Sequence, residues 1–137
     1  MTPDQMRELH LTTRDNTRVW TAQEYRTVIN DPSAILFSGE NGFAVGRVVH
    51  DEAELLMIIV KHDQQLRGFG RGYLHGFEME CHKRGAKTCF LEVAANNNTA
   101  KSLYYSSGYQ QTGTRKLYYH MNNNQRLDAL IFKKNLV

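Results

Sequence analysis

Residues 53–60 read AELLMIIV, and almost no position in that run is polar. A strand with one face in water alternates apolar and polar residues, so a run this apolar is predicted to be a strand covered on both faces, in the middle of a sheet. The chain then passes through QLRGFG, residues 65–70, into a segment where Phe69, Tyr73, Phe77 and Cys81 recur at helical spacing with Leu74 alongside, and Gly85 follows as a stop. A buried strand, a turn with two glycines and a helix therefore follow one another, and the remaining elements must be arranged around that unit.

At 137 residues, with 41% hydrophobic and 23% charged positions, residues 1–137 are expected to form one domain with a core of its own, and wholesale disorder is excluded. The net charge of +3 comes from 17 Lys and Arg against 14 Asp and Glu, spread without the basic block of a nucleic-acid arm. No direct nucleic-acid partner is expected, whereas an anionic ligand would be tolerated. The longest apolar run, residues 55–60, is too short to cross a bilayer, and the opening MTPDQMRELHLTT is charged, so neither signal peptide nor anchor is read. A cytoplasmic location without a membrane partner is the expectation. Cys81 and Cys89 flank the turn RGAKT and are expected to be reduced core thiols. The six histidines, at 10, 50, 62, 75, 82 and 120, do not pair with cysteine or carboxylate at ligand spacing, so no metal is expected.

Residues 3–10 are predicted to form a short helix. A second begins at Thr21, where Thr21 with Glu24 makes a capping box and Trp20 precedes it as a staple; Asp31-Pro32 closes it. AILF and FAVGRVV read as strands joined by GENG, whose Asn41-Gly42 pair signals a hairpin turn. TCFLEV is another strand, residues 96–98 open a helix through Ala100, Leu103 and Tyr104, and Gly108 ends it. Residues 109–121 and 126–134 read as two more strands around the loop NNNQ. The helical connections on either side of TCFLEV predict parallel pairing there and the hairpins antiparallel pairing elsewhere, giving a mixed, mostly antiparallel α/β sheet flanked by about four helices.

The first N–H groups of a helix lack partners within it, and glycine has no Cβ to hold a ligand away, so a strand, a glycine turn and a helix can make an anion site. Arg67 and Arg71 add charge beside it. The segment is not a Walker A loop, which ends in GK[ST], nor the GxGxxG dinucleotide fingerprint. By itself it reads equally as a tight turn that holds no ligand. Three side chains are similarly open. Glu92 lies within an otherwise apolar strand, facing solvent or a cleft; Asn97 is an ordinary helix cap or a ligand contact; Tyr104 is a core aromatic or a cleft phenol.

QLRGFG fits the Q/R-x-x-G-x-G/A signature of the Gcn5-related N-acetyltransferases, and LEV, Asn97, Ala100, LYYSSGY and RKLYY follow in that family's order. Over roughly residues 43–132 the chain resembles the RimI-type branch, which acetylates the N-terminal alanine of a small-subunit ribosomal protein. Tyr105 stands where an acidic residue is common, and Lys116-Leu117 interrupt a usually more basic run. The resemblance implies the GNAT fold, a sheet splayed around acetyl-CoA. It implies that the main chain of Leu66, Arg67, Gly68, Phe69, Gly70 and Arg71 holds the diphosphate, that Ile58, Ile59 and Val60 bind the pantetheine arm, and that the Asn97 side chain meets that arm. It further implies Glu92 as general base, Tyr104 as general acid, and Arg115, Tyr118 and Tyr119 as peptide-binding residues. Tyr118 and Tyr119 alternate faces, so one is expected to line the groove while the other packs inward. Direct acetyl transfer to a protein N-terminus is the implied function. Acetylation of a small amine or a lysine side chain is the alternative within the same chemistry, and a CoA-binding module without turnover is the alternative outside it.

Overall fold

The computed structural model describes residues 1–13, 18–65, 67–121 and 123–136. Two short helices come first, α1 (Pro3–Leu11) and α2 (Ala22–Ile29), each opened by a capping box, Thr2 with Gln5 and Thr21 with Glu24. Trp20 lies against Tyr25 with ring centroids 5.1 Å apart, the expected staple. The hairpin β1 (Ala34–Gly39) and β2 (Gly42–Val49) leads to β3 (Glu52–Val60), a single 3₁₀ turn (His62–Gln64) and α3 (Phe69–Lys83). Then come β4 (Thr88–Ala94), α4 (Asn98–Ser106) and the long hairpin β5 (Gln110–His120) and β6 (Arg126–Asn135).

The six strands make one mixed sheet in the order β1-β2-β3-β4-β6-β5, with β3 inside it as its apolar run requires. Two sequence expectations are corrected. The pairing on both sides of β4 is not parallel: β4 is parallel to β3 alone and antiparallel to β6, because the hairpin returns β6 into the place beside β4 and leaves β5 at the edge. The β1–β2 hairpin forms, but its turn is Glu40-Asn41 between the pair Gly39↔Gly42, and neither turn residue has positive φ, so Asn41-Gly42 is not the turn itself. Gly42 sits in β2, where a Cβ would fall 2.0 Å from the Ile59 carbonyl oxygen.

The sheet separates two apolar clusters. One face packs Phe77 and Leu74 of α3 and Tyr104 of α4 on Ala44, Leu55, Leu91 and Val93; the other packs Met6 and Tyr25 of the first helices on Phe43, Val45 and Ile59. Burying a side chain of this size stabilises the fold by roughly 1.5–3 kcal/mol. A bulge in β3 lets one strand serve both clusters. Val45 pairs with Met57 and Gly46 with Leu55, which leaves Leu56 unopposed and switches the alternation. Buried polar groups are partnered across elements. Glu78 of α3 accepts from the Tyr109 hydroxyl at 2.8 Å and from Lys134 Nζ at 2.9 Å, and Trp20 N–H donates to His10 Nδ1 at 3.3 Å while the Tyr25 hydroxyl lies 2.8 Å from the same nitrogen. Cys81 and Cys89 are buried free thiols, as expected.

Candidate active site

Strands β3 and β4 pair only at Glu52↔Thr88, Ala53↔Cys89 and Glu54↔Phe90, then continue apart to Val60 and Ala94. Their divergence opens a cleft of about 320 Å³ through the sheet, walled by β3 on one side and by β4, Asn97, Ala100 and Tyr104 on the other. The β3 main chain facing it has no partner strand beyond Glu54. Ile58 and Ile59 lie on this wall; the Val60 carbonyl is already taken by the Gln65 side-chain amide at 3.2 Å.

At the end of β3 the chain turns into α3 through Gly68, the N-cap, with φ +84. The helical ladder begins with Gly72 N–H donating to the Gly68 carbonyl at 3.1 Å. Among the described residues, no protein acceptor takes the N–H of Gly68, Phe69, Gly70 or Arg71. A Cβ on Gly70 would meet Leu103 Cδ2 at 3.5 Å and Val60 Cγ2 at 3.7 Å, ordinary contacts, so the protein itself does not require glycine there. A ligand held close against those amides would. Of the predicted cationic pair, Arg67 is exposed, while Arg71 is turned away to α4, donating to the Ser106 hydroxyl at 2.7 Å and the Ser106 carbonyl at 3.3 Å. Leu66 lies outside the described residues.

Glu92 leaves β4 on the face opposite Leu91 and Val93, whereas Tyr104 packs with those two residues. The two groups still line one cavity, whose lining takes residues from both faces of β4, Glu92 with Leu91 and Val93. The Glu92 carboxylate, 18% exposed, pairs with Arg115 Nε at 3.1 Å. The Tyr119 hydroxyl donates to the Glu92 carbonyl at 3.2 Å. Burial pushes the Tyr119 phenol up to about 12, with the Glu92 charge acting in the same direction. Burial holds the Tyr104 phenol further above the usual range, so it is protonated at any working pH. Its ring packs edge-on against Tyr109 and Phe132, and among the described residues its hydroxyl has no hydrogen-bond partner. Asn97 accepts the Ala100 N–H at 3.1 Å through its side-chain oxygen, capping α4, and lines the cleft as well. Asn97 thus caps α4 and borders the cleft at once.

Of the tyrosine pair, Tyr119 enters the cleft. Tyr118 does not pack inward: it is 54% exposed, with the Arg115 guanidinium 5.1 Å from its ring centroid. The expected alternation fails because β5 is an edge strand and bulges between Arg115 and Tyr119, leaving no layer for Tyr118 to pack under. Sequence reasoning did not place Arg18 and Trp20 in the cleft, yet both line it. The signal was the capping box: Arg18 donates to both carboxylate oxygens of Glu24, at 2.6 and 2.7 Å, which holds that carboxyl down at about 2 and fixes the segment before α2.

A family model described as acetyltransferase (GNAT) domain matches residues 4–121. The [ribosomal protein bS18]-alanine N-acetyltransferase of Escherichia coli K12 is 43% identical over 89 residues, which is 65% of this chain and 60% of that protein. The matched part thus spans less than two thirds of that relative. The N-alpha-acetyltransferase RimI of Mycobacterium tuberculosis is 37% identical over 78 residues, 57% of this chain and 48% of that one. Among solved structures, the ribosomal-protein-S18-alanine N-acetyltransferase from Escherichia coli superposes with a TM-score of 0.86 at 28% identity, covering 98% of this chain and 87% of that chain. An aminoglycoside 6'-N-acetyltransferase complexed with coenzyme A, at 17% identity, shares the fold with a TM-score of 0.80, over 98% of this chain and 91% of that one.

Proposed function

The chain belongs to the GNAT acetyltransferase family, and from that premise we propose that residues 1–137 form one N-acetyltransferase domain that transfers acetyl from acetyl-CoA directly to the N-terminal alanine of a small-subunit ribosomal protein. The observation that carries this reading is that Glu92 and Tyr104 line one cleft between β3 and β4, while the first N–H groups of α3, the helix that follows β3, have no protein acceptor among the described residues. The identity to proteins named for that acceptor supports its choice. Because acetyl-CoA and ribosomal proteins are both found in the cytoplasm, we place the activity there.

In this reading the amides of residues 67–71 bind the diphosphate, the edge of β3 at Ile58 and Ile59 receives the pantetheine arm, with Val60 joining once its carbonyl is released by Gln65, and the Asn97 amide nitrogen, free of the cap bond, donates to it. Acetyl-CoA supplies the thioester; the chain's own groups move the protons. Glu92 takes a proton from the incoming amine, directly or through water, as the N–C bond forms. Tyr104 gives its proton to the sulfur as the C–S bond breaks. In water a phenol is a weaker acid than a thiol of ordinary pKa about 8.5. The apolar surroundings disfavour phenolate and thiolate alike, so the proton passes to the sulfur in concert with C–S cleavage and no free thiolate is formed. Arg115, Tyr118 and Tyr119 flank the carboxylate and form the acceptor side. Such acid–base groups contribute about 10²–10⁴-fold in rate, and holding the amine against the carbonyl supplies much of the rest.

A terminal amine, with a pKa of about 7.7–8.0, is partly neutral at pH 7, whereas a lysine near 10.4 is not. A polyamine acceptor would need several carboxylates, and among the described residues the cleft lining contains Glu92 alone. Two catalytic groups in one cleft support turnover over a binding-only module. The test is release of CoA thiol with peptides beginning in alanine, against the same peptides N-terminally blocked and carrying lysine. Turnover is expected on the free terminus alone, falling at least about 100-fold in Tyr104→Phe and Glu92→Gln. Equal rates on the blocked lysine peptides would transfer the reading to lysine. An unchanged rate in Tyr104→Phe would remove that residue's role.

A further inference from the structure

On the acceptor side, β5 and β6 pair, with one register shift between Gln111 and Gly113, up to Arg115↔Ala129 and resume at Tyr119↔Leu127, so three residues of β5, 116–118, stand opposite Asp128 alone. At the centre of this bulge Leu117 has φ 51, a left-handed conformation that leucine rarely adopts. Packing does not explain it, since Leu117 is 58% exposed. Its N–H donates to the Asp128 side chain, Oδ1, at 2.9 Å, and the Asp128 carbonyl accepts the Ala95 N–H at 2.9 Å, which ties the bulge to the end of β4.

The bulge has a geometric effect on the cleft. In a regular ladder residue 117 would face Leu127; the two extra residues bring Tyr119 there instead. Without them Tyr119 would lie two positions further along β6, roughly 7 Å at about 3.3 Å per residue, beyond reach of the Glu92 carbonyl it now contacts at 3.2 Å. Arg115, at the other foot of the bulge, makes the 3.1 Å contact with the Glu92 carboxylate. Asp128 does not line the cleft itself.

From this we infer that Asp128 is a positioning residue for acetyl transfer: by accepting the Leu117 N–H it holds the strained bulge that keeps Arg115 and Tyr119 on Glu92, and so sets the acceptor side of the cleft. The inference rests on the acetyltransferase reading above. Because the device acts through an accepting oxygen, Asn in place of Asp serves equally well. Because Asp128 acts against backbone strain, a glycine at 117 lessens the need for it.

The test is steady-state kinetics with acetyl-CoA and whichever amine the wild-type protein acetylates. Asp128→Ala is expected to lower kcat/KM for the acceptor about tenfold or more while the KM for acetyl-CoA stays within twofold. Asp128→Asn should remain within about threefold of wild type, and Leu117→Gly added to Asp128→Ala should recover several-fold. A role in stability alone would lower Tm in Asp128→Ala without separating the two substrates. Unchanged acceptor kinetics in Asp128→Ala, or Asp128→Asn as damaging as Ala, overturns the inference. Amide hydrogen exchange reads the same device without any acceptor, and on the wild-type chain: the Leu117 N–H should exchange more slowly than those of Lys116 and Tyr118, and equal rates overturn the inference. If no peptide N-terminus is acetylated, the acceptor reading fails separately, since Leu117 exchange and the kinetics on the amine actually used still judge Asp128.

Discussion

Two glycines that look alike in the sequence have opposite reasons to be glycine. At Gly42 the obstacle is the protein, because a Cβ would fall 2.0 Å from a backbone oxygen of β3. At Gly70 the space is sufficient for a methyl group, and the N–H groups beside it face away from protein acceptors. Gly42→Ala is therefore expected to destabilise the fold by about 1–3 kcal/mol, the usual range for overpacking, visible as a lower urea midpoint. Gly70→Ala should leave the midpoint unchanged or raise it, since alanine favours the first turn of α3, while the KM for acetyl-CoA rises about tenfold or more. An unchanged KM would count against the amide cradle. The glycine pair at residues 68 and 70 was legible as a place where an anion could bind. That Gly42 guards a close approach of two strands was not legible, since the crowding atom belongs to Ile59 on another strand. Glu92 shows the same boundary: alternation along TCFLEV puts it off the face of Leu91 and Val93, but only the neighbouring strands decide that this other face opens on a cleft.

Among the elements, α4 opens on a residue that caps it and also borders the cleft. The Asn97 side-chain oxygen caps the helix, and its nitrogen is left toward the cleft. Asp at 97 would keep the accepting oxygen and lose the donor, so Asn97→Asp is expected to hold Tm while raising the KM for acetyl-CoA several-fold. Asn97→Ala should do both, costing about 1 kcal/mol for the cap as well. If Asn97→Asp binds acetyl-CoA as wild type does, Asn97 is a cap and nothing more. The caps of α2 and α4 and the period of α3 are local patterns, and their helices lie where the sequence places them. Bulges are not local. Leu56 in β3 and residues 116–118 in β5 are extra only relative to a partner strand, so no pattern within either strand announces them. The Tyr118 expectation failed for that reason.

Across the whole molecule, burial on both faces of the sheet sets the response to alkali. Loss of solvent pushes Cys81 up to about 12, Cys89 to about 11 and Tyr119 to about 12, with Tyr104 and Tyr109 higher still. Ordinary values are about 8.5 for a thiol and 10 for a phenol. The unfolded chain therefore loses these protons first. Stability that is intact below about pH 8.5 is lost progressively as pH rises toward about 12, because the unfolded state binds fewer protons through that window. Urea midpoints at pH 8, 9.5 and 10.5 should fall in that order with the slope unchanged, and a midpoint that stays level would mean that these groups are not buried as described. The sequence by itself determined the elements and their order, the central place of β3 and the glycine turn before α3, since each follows from residues that are neighbours along the chain. How early β3 and β4 part, and that Glu92, Tyr104 and Tyr119 line the opening between them with Arg115 paired to Glu92, came from the folded arrangement alone. Those residues sit on three separate elements, β4, α4 and β5, and their distances are set by strand register and splay, which are properties of pairs of segments and not of any one of them.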